Sequence, residues 1–449
     1  MKILIVGAGQ VGFFLCERLS IEGHEVTLID RDEGYLRQAQ DRLNVMGITG
    51  NGASAEILEQ ANIKHTDIFI AVTNMDEVNI LACLLAREYD VKTRIARVKS
   101  IEYRSHGAIL SKEKLGIDLL INPADEVADE MVKISCRSGA FDVAEFVGGK
   151  IQFLGYRIDK DSPLCGMTLL ELGELRGIYR FVVTAISRDE TTIIPRGEDQ
   201  IQDGDRIFLF AHEKDLPAIQ YMLLPCEKKK HQRRVFILGG SQIGVRIAAQ
   251  LEKQKFDVRL VDRDEQRCRK VSAKLGKTMV IHADGTDIHA LVEEGIDNAD
   301  VFIAVTNRDE TNILCALLAK QHGANRVLAL VNKPELLNLA PSLGIDACVS
   351  PRLSAAGAIL KYVRRGGVIS IATIEGSNAE ALEFEVKQGS HFIDTALKNL
   401  QFPADAIIGA IVHDLSHEIA TGESTLQAGD RVVVFTLPES LHKVEKFFE

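Results

Sequence analysis

The 449-residue chain has no tryptophan, and aromatic residues make up only 6% of it. Surfaces that stack bases or sugars are built from such side chains, so their scarcity argues against an aromatic-lined nucleic-acid or sugar groove. Positive charge is also short: 53 Lys and Arg stand against 64 Asp and Glu, a net charge of −11. General nucleic-acid binding rests on neutralising phosphates, so no nucleic-acid partner is expected. Long apolar runs are missing too. Ile68–Val72 and Val301–Val305 are strand-sized, far short of the roughly 18 apolar residues of a membrane span. The N-terminus enters a strand at once, without a basic leader and apolar core. The expectation is a soluble, cytoplasmic protein that reaches any membrane process by docking to a membrane partner. Cysteine occurs eight times but never as C-x-x-C, which argues against zinc knuckles and dithiol redox motifs. Most of these cysteines sit in apolar contexts and read as small buried hydrophobes.

What the chain does have is a repeat. GAGQVG from Gly7, LIDRDE from Leu28 and FIAVTNMDEVNIL from Phe69 recur as GGSQIG from Gly239, LVDRDE from Leu260 and FIAVTNRDETNIL from Phe302. Asn122-Pro123 and Ser350-Pro351 each precede an apolar-periodic helix that ends in glycine, at Gly139 and Gly366. IQDGDRIFLF from Ile201 matches LQAGDRVVVF from Leu426, each a Gly-Asp turn feeding an alternating strand. The expected fold class is α/β: two tandem Rossmann-like doubly wound domains, each followed by a small α+β domain. The expected domains are 1–123, 140–225, 232–351 and 367–449. The halves meet at the charged linker Lys228–Arg234, read as a solvated connector rather than a lipid-binding segment.

In the first unit the wholly apolar Ile3–Val6 reads as a strand covered on both faces. Gly7-Ala8-Gly9-Gln10-Val11-Gly12 follows, then helical periodicity over Val11–Leu19, then a β-branched strand Val26–Ile29 that ends at Asp30. A lone GxGxxG is a weak signal; between a strand and a helix, with an acid 18 residues after Gly12, it is a dinucleotide-binding fingerprint. Gly7 permits the turn, Gly9 lets backbone approach a pyrophosphate, and Gly12 lets helix pack on sheet. The free N–H groups of Gln10 and Val11 face the phosphates. Asp30 accepts from ribose hydroxyls and repels a 2′-phosphate, so NAD(H) is expected over NADP(H), a preference that Arg31 slightly weakens. Further strand tips line the same crevice: Asn51 and Gly52, Thr73 and Asn74, and Arg97 within the strand Thr93–Val98, in reach of a phosphate. Asn74 and Asp76 have a second reading as caps of a helix beginning near Glu77, and Arg97 one as a structural ion-pair partner.

The second unit departs from this pattern. Ser241 replaces the middle glycine, and its Cβ crowds the approach to pyrophosphate. Asp262, Thr306 and Asn307 are retained, while Leu330 stands where Arg97 would be. Weaker binding, or a smaller adenine nucleotide such as ATP or ADP, is expected there. The smaller domains show no shared acid/base constellation for a dehydrogenase. His413, Asp414 and His417 read as a hairpin rather than a metal site. Neither G-x-S-x-G nor a Walker loop occurs. A nucleotide site without chemistry is a switch input, so no enzyme is expected.

On GAGQVG to Asp30, the doubled AVTN-x-DE-x-NIL at Ala71 and Ala304, and the doubled GDR at Gly204 and Gly429, the chain resembles the TrkA family over its whole length. These are peripheral nucleotide-binding subunits of bacterial Trk potassium uptake, with two tandem RCK units. The resemblance implies that the RCK units pair within the chain. It implies a ring, typically a homotetramer, beneath a Trk-type membrane channel subunit on the inner face of the cell membrane, and a gate set by nucleotide. By position it implies a first site of Gly7, Ala8, Gly9, Gln10, Val11, Asp30, Asn51, Thr73, Asn74 and Arg97. The second would comprise Gly239, Gly240, Ser241, Gln242, Ile243, Asp262, Thr306 and Asn307. Two other readings stand beside it: an NAD-dependent oxidoreductase, and a regulator of a different potassium transporter.

Overall fold

A computed structural model describes residues 1–100, 103, 111–137, 139–174, 180–188, 191–223, 233–363, 368–373, 379–413 and 416–448, with side chains at all of these except 338, 341 and 368–373. The linker residues 228–232, Gly366 and Asp414 lie outside the described residues.

The first repeat alternates strand and helix: β1 (Lys2–Val6), α1 (Gln10–Ile21), β2 (Glu25–Asp30), α2 (Glu33–Arg42), β3 (Met46–Thr49), α3 (Ala55–Gln60), β4 (Ile68–Ala71), α4 (Asp76–Glu88), β5 (Thr93–Arg97), α5 (Lys112–Leu115) and β6 (Leu119–Ile121). The strands are parallel and ordered β3-β2-β1-β4-β5-β6, the doubly wound arrangement whose order reverses beside β1. The fully apolar β1 divides its side chains between two cores. Ile3 and Ile5 join Leu15, Leu19 and Leu28 on one face. Leu4 and Val6 join Ile29, Phe69 and Cys83 on the other. The helix α6 (Pro123–Cys136) follows, with proline at its first position and Gly139 just beyond its end in the left-handed region (φ 72°).

Next comes an antiparallel sheet. β7 (Ala140–Phe146), β8 (Ile151–Arg157), α7 (Leu169–Glu174), β9 (Phe181–Arg188), β10 (Thr191–Ile193), β11 (Arg206–His212) and α8 (Leu216–Leu223) give the order β10-β9-β11-β8-β7.

The second repeat copies the first: β12 (Arg234–Leu238), α9 (Gln242–Lys253), β13 (Asp257–Asp262), α10 (Glu265–Ser272), β14 (Met279–His282), α11 (Ile288–Glu293), β15 (Val301–Ala304), α12 (Asp309–Gln321), β16 (Val327–Leu330), α13 (Pro334–Leu339) and β17 (Ala347–Val349). Its order, β14-β13-β12-β15-β16-β17, is position for position that of the first. After α14 (Pro351–Val363), the strands β18 (Val368–Thr373), β19 (Glu380–Glu385), β20 (Ala406–Val412), β21 (His417–Ile419) and β22 (Arg431–Thr436) form β18-β19-β22-β20-β21, closed by α15 (Leu441–Phe448). This matches the first small sheet strand for strand.

Two compact units result, and their boundaries do not follow the repeat. The first holds residues 1–128 with 350–363, so α14 from the second repeat packs on α1: Ala355, Ala356, Ile359 and Leu360 join the core of Leu15 and Leu19. Arg352 lies 5.6 Å over the Phe14 ring. The second unit holds the later part of α6 against α9, where Asp129 takes Gln250 (2.6 Å) and Cys136 meets Gln254 (2.7 Å). Arg326 donates to the Arg137 carbonyl beyond the end of α6 (2.8 Å). The first Rossmann core thus takes in a helix from the second repeat, and the later part of α6 from the first repeat is bonded to α9 of the second. Among the described residues no helix is long and apolar enough to cross a membrane.

Candidate nucleotide-binding site

The carboxyl ends of β1, β2, β4 and β5 converge on the turn after β1. Gly7 takes φ +108° and donates to the Ile29 carbonyl (2.8 Å); a Cβ there would lie 2.9 Å from the Thr73 amide. A Cβ on Gly12 would lie 1.7 Å from the Gly7 carbonyl oxygen, so α1 can approach the turn only with glycine at this position. Gly9 differs from both. It is extended, precedes α1 without a side-chain cap, and a Cβ on it would meet nothing within 4 Å. Two glycines are therefore demanded by packing and the third faces open space. The amides of Gln10 and Val11 lie in the first turn of α1, where backbone N–H groups lack helical partners and no acidic side chain stands in that turn. Ala8 is buried at the centre of the loop.

Asp30 ends β2 half-buried. Its Oδ2 accepts from the Ala8 amide (2.6 Å) and its Oδ1 from the Asp32 amide (2.9 Å). An ionised carboxylate has about four lone-pair sites, so it holds the glycine loop and keeps acceptor capacity for a ligand. Asn51 forms an Asx turn, accepting from the Ala53 amide (3.2 Å). Gly52 is drawn tightly over β1, where a Cβ would lie 2.0 Å from Val6 Cγ1.

The tips of β4 and β5 are tied by the asparagine near the end of the AVTN-x-DE-x-NIL motif, a residue to which its sequence position alone assigns no role. Asn79 is fully buried: its Oδ1 accepts from the Thr73 amide (2.9 Å) and hydroxyl (2.7 Å), and its Nδ2 donates to the carbonyls of Thr73 (3.1 Å) and Arg97 (2.8 Å). The doubled AVTN-x-DE-x-NIL motif was the available signal. The capping alternative for Asn74 and Asp76 fails. α4 begins at Asp76 without a side-chain cap, Asn74 is exposed, and Asp76 accepts from the amides of Lys99 (2.9 Å) and Ser100 (2.8 Å). Arg97 closes β5 half-buried, and its Nε is buried with no hydrogen-bond partner among the described residues. Burial pushes its pKa below the ordinary value, with Asp76 opposing.

The second crevice repeats the framework. Gly239 takes φ +116°, and a Cβ on Gly244 would lie 1.9 Å from the Gly239 carbonyl oxygen. Asn312 joins Thr306 to the Leu330 carbonyl (2.9 Å) as Asn79 joins Thr73 to Arg97. Asp262 holds the Gly240 amide (2.7 Å) as Asp30 holds Ala8. Ser241 precedes α9, and its hydroxyl donates to the Val305 carbonyl (3.4 Å). Gln242 and Asn307 are exposed, while Ile243 and Thr306 are half-buried. Leu330 fills the Arg97 position as buried apolar surface. Asp262 itself is only 4% exposed, because Arg267 lies on it at 3.2 Å.

The TrkA-N domain matches residues 3–123 and 235–351, and the TrkA-C domain matches 153–223 and 381–449. The chain belongs to the TrkA family. It is 36% identical to the Trk system potassium uptake protein TrkA of Halomonas elongata, over 100% of this chain and 99% of that protein. It is 34% identical to TrkA homolog 2 of Methanosarcina mazei, covering 100% of both chains. Among solved structures it is similar to the GsuK RCK domain, with a TM-score of 0.61 at 20% identity over 100% of this chain and 94% of that one; this likeness is one of fold.

In this TrkA-family chain the small domains carry their own paired feature. The Gly-Asp turns place Asp205 and Asp430 in buried positions, accepting from the amides of Gln202 and Gln427 (both 2.7 Å). Arg188 clasps Asp205 with two bonds of 2.7 Å, and His413 takes the same place on Asp430 at 2.8 Å. His413 and His417 therefore diverge: His417 instead stacks on His212 of the first small sheet, ring centroids 4.1 Å apart. The two small sheets pack together beside this pair, with Phe153 stacked on Phe435 and Gly409 leaving room for Phe210. Among the described residues no group of three or more His, Cys, Asp or Glu is placed to hold a metal.

Proposed function

We propose that this chain is the nucleotide-sensing regulatory subunit of a potassium-uptake system, and that its first crevice binds NAD(H). The observation that carries the reading is the first crevice itself. Its glycine turn is fixed by packing at Gly7 and Gly12 and open at Gly9, beside an acid with acceptor capacity and an arginine whose buried Nε lacks a partner among the described residues. An orphaned buried polar atom is costly, and a pyrophosphate oxygen is the kind of acceptor that relieves it. Gly9, Gln10 and Val11 would hold the phosphates by backbone N–H, and Asp30 the adenosine ribose. Asn51, Thr73 and Asn74 would line the crevice toward β3 and β4. Nicotinamide dinucleotides supply a redox-sensitive ligand; this chain supplies the cradle.

ATP and ADP share the adenosine and phosphate contacts and compete for the same crevice. The second crevice, with Gly239, Gly240, Ser241, Gln242, Ile243, Asp262, Thr306 and Asn307, takes nucleotide more weakly. A ligand shifts only an equilibrium between states that it binds unequally, so the output is a change of arrangement passed to a membrane subunit. The relatives' shared name, a potassium-uptake protein, supports that partner. A ring of four chains on the inner face of the membrane is the assembly proposed. Calorimetric titration with NADH, NAD+, ATP and ADP, counting sites per chain, tests the reading. Dinucleotide binding without turnover supports it. Absence of all binding overturns it, and oxidation of NADH by a small hydroxy or amino acid's keto product would favour an oxidoreductase.

A further inference from the structure

The two crevices share their backbone and differ in what covers the acid. In the first repeat the residue five beyond Asp30 is Tyr35, which is 51% exposed and leaves Asp30 half-buried. In the second the corresponding residue is Arg267. Its guanidinium bonds Asp262 Oδ2 at 3.2 Å and lies 3.8 Å from Asp264. Its aliphatic stem lies over the glycine loop, with Cδ and Cγ 3.3 and 3.4 Å from where a Cβ of Gly240 would stand. Asp262 Oδ2 also accepts from the Gly240 amide (2.7 Å) and Oδ1 from the Asp264 amide (2.9 Å). The acid that would receive ribose hydroxyls is thus engaged by a cation and two amides, and its charge is matched locally.

A bare acid at the end of the second strand rejects a 2′-phosphate, and a nearby arginine accommodates one. Arg267 is half-exposed while Asp262 beneath it is buried, so the guanidinium keeps its Nη1 bond to Asp262 and turns its remaining N–H donors to a ligand phosphate. We infer that Arg267 is the specificity-determining residue of the second crevice: it takes Asp262 out of use for ribose hydroxyls and offers a guanidinium to a ribose 2′-phosphate. Relative to the first crevice, the second therefore favours 2′-phosphorylated dinucleotides of the NADP(H) class over NAD(H). This rests on the proposed reading that both crevices take adenine nucleotides, the second more weakly.

The absence of tryptophan makes a local test available. His282 is exposed at the tip of β14 and pairs in register with Asp262; Thr49 holds the same relation to Asp30. His282→Trp and Thr49→Trp each give the chain a single indole, whose emission a bound reduced nicotinamide accepts. Full-length protein with each reporter is titrated with NADH and with NADPH. At His282→Trp the NADPH-to-NADH affinity ratio should exceed that at Thr49→Trp by about tenfold or more, a change of the size expected from gaining or losing one charged hydrogen bond. Adding Arg267→Tyr, which copies the first repeat, should bring the ratio back to the first crevice's value. Arg267→Ala should do so as well, covering the case in which the tyrosine misfits. Equal ratios at the two reporters, or a ratio at His282→Trp that neither substitution moves, overturns the inference while leaving NADH binding at Thr49→Trp, and with it the proposed function, in place. No nucleotide response at either reporter overturns both.

Discussion

Replacing Asn79 with alanine tests whether one buried amide sets the geometry of the crevice. The side chain satisfies the Thr73 amide, hydroxyl and carbonyl and the Arg97 carbonyl at 2.7 to 3.1 Å. Alanine leaves these groups without that partner. Each fully buried group left unsatisfied costs about 1–3 kcal/mol. Thr73 is half-buried and can recover part of the loss from water, whereas the Arg97 carbonyl faces the fully buried Asn79 position and loses its bond there. One full penalty and part of a second give about 2–4 kcal/mol for Asn79→Ala. With a urea slope of about 2–3 kcal/mol/M, the midpoint for the first unit should fall by roughly 1 M. Hydrogen exchange separates the repeats: amides of β4 and β5 should lose protection while those of β15 and β16 keep it. Asn312→Ala should give the converse, because Asn312 makes the same four bonds. The control is Asn74→Ala, an exposed neighbour expected to change stability by less than about 0.5 kcal/mol. Equal effects of Asn79→Ala and Asn74→Ala would refute the reasoning.

Gly9→Ser copies Ser241 into open space, so the melting temperature should hold while dinucleotide affinity falls; normal affinity in calorimetry would remove Ser241 as a cause of weaker binding. Gly12→Ala places a methyl 1.7 Å from the Gly7 carbonyl oxygen, and overpacking of this kind costs about 1–3 kcal/mol or more; an unchanged melting temperature would contradict the contact. Asp30→Ala should weaken NADH by about 1–3 kcal/mol through unpaired ribose hydroxyls, and unchanged calorimetric affinity would remove Asp30 from the site. The His212–His417 pair should make stability depend on pH. Burial holds both imidazoles below their ordinary 6.5; His417, Lys214 and Arg180 add to this at His212, where Asp215 opposes, and Lys150, Lys214 and Arg180 add to it at His417. A depressed imidazole pKa means that the unfolded chain binds more protons, so the contribution is intact above 6.5 and is lost as pH falls below it. His417→Gln should flatten the fall in denaturation midpoint between pH 7 and 5, and an unflattened curve would dismiss the pair.

The periodicities that follow from backbone geometry were legible in the sequence. The apolar run Ile3–Val6 foretold a strand buried on both faces, and Lys2–Val6 splits its side chains between two cores. Proline at 123 and 351 marked two helix starts because it needs no amide partner there. Contacts made at long range were not legible. Nothing local to Pro351–Val363 says that this helix packs on α1 rather than on its own repeat, since an apolar face fits any apolar partner. Likewise Asp76 looks like a helix cap in sequence, and only the nearness of the chain after β5 turns it toward Lys99 and Ser100. His417 looked solvent-facing because its partner, His212, lies 205 residues away.

The comparison of the two repeats separates what the fold requires from what a ligand would feel. The glycines whose substitution would collide with backbone, Gly7 and Gly12, recur as Gly239 and Gly244. The buried amides Asn79 and Asn312 recur with the same partners, and Asp30 and Asp262 hold the same loop amide. Among the positions that changed are Gly9 to Ser241, Tyr35 to Arg267 and Arg97 to Leu330. Ser241 adds a long bond from its hydroxyl to the Val305 carbonyl (3.4 Å), and each of the three belongs to a strand tip, the glycine loop or the helix after the acid. Here the buried polar residues that hold the fold are retained and the crevice-facing side chains are altered, so a difference in ligand preference between the two crevices would rest on side chains such as Ser241, Arg267 and Leu330 and not on the framework.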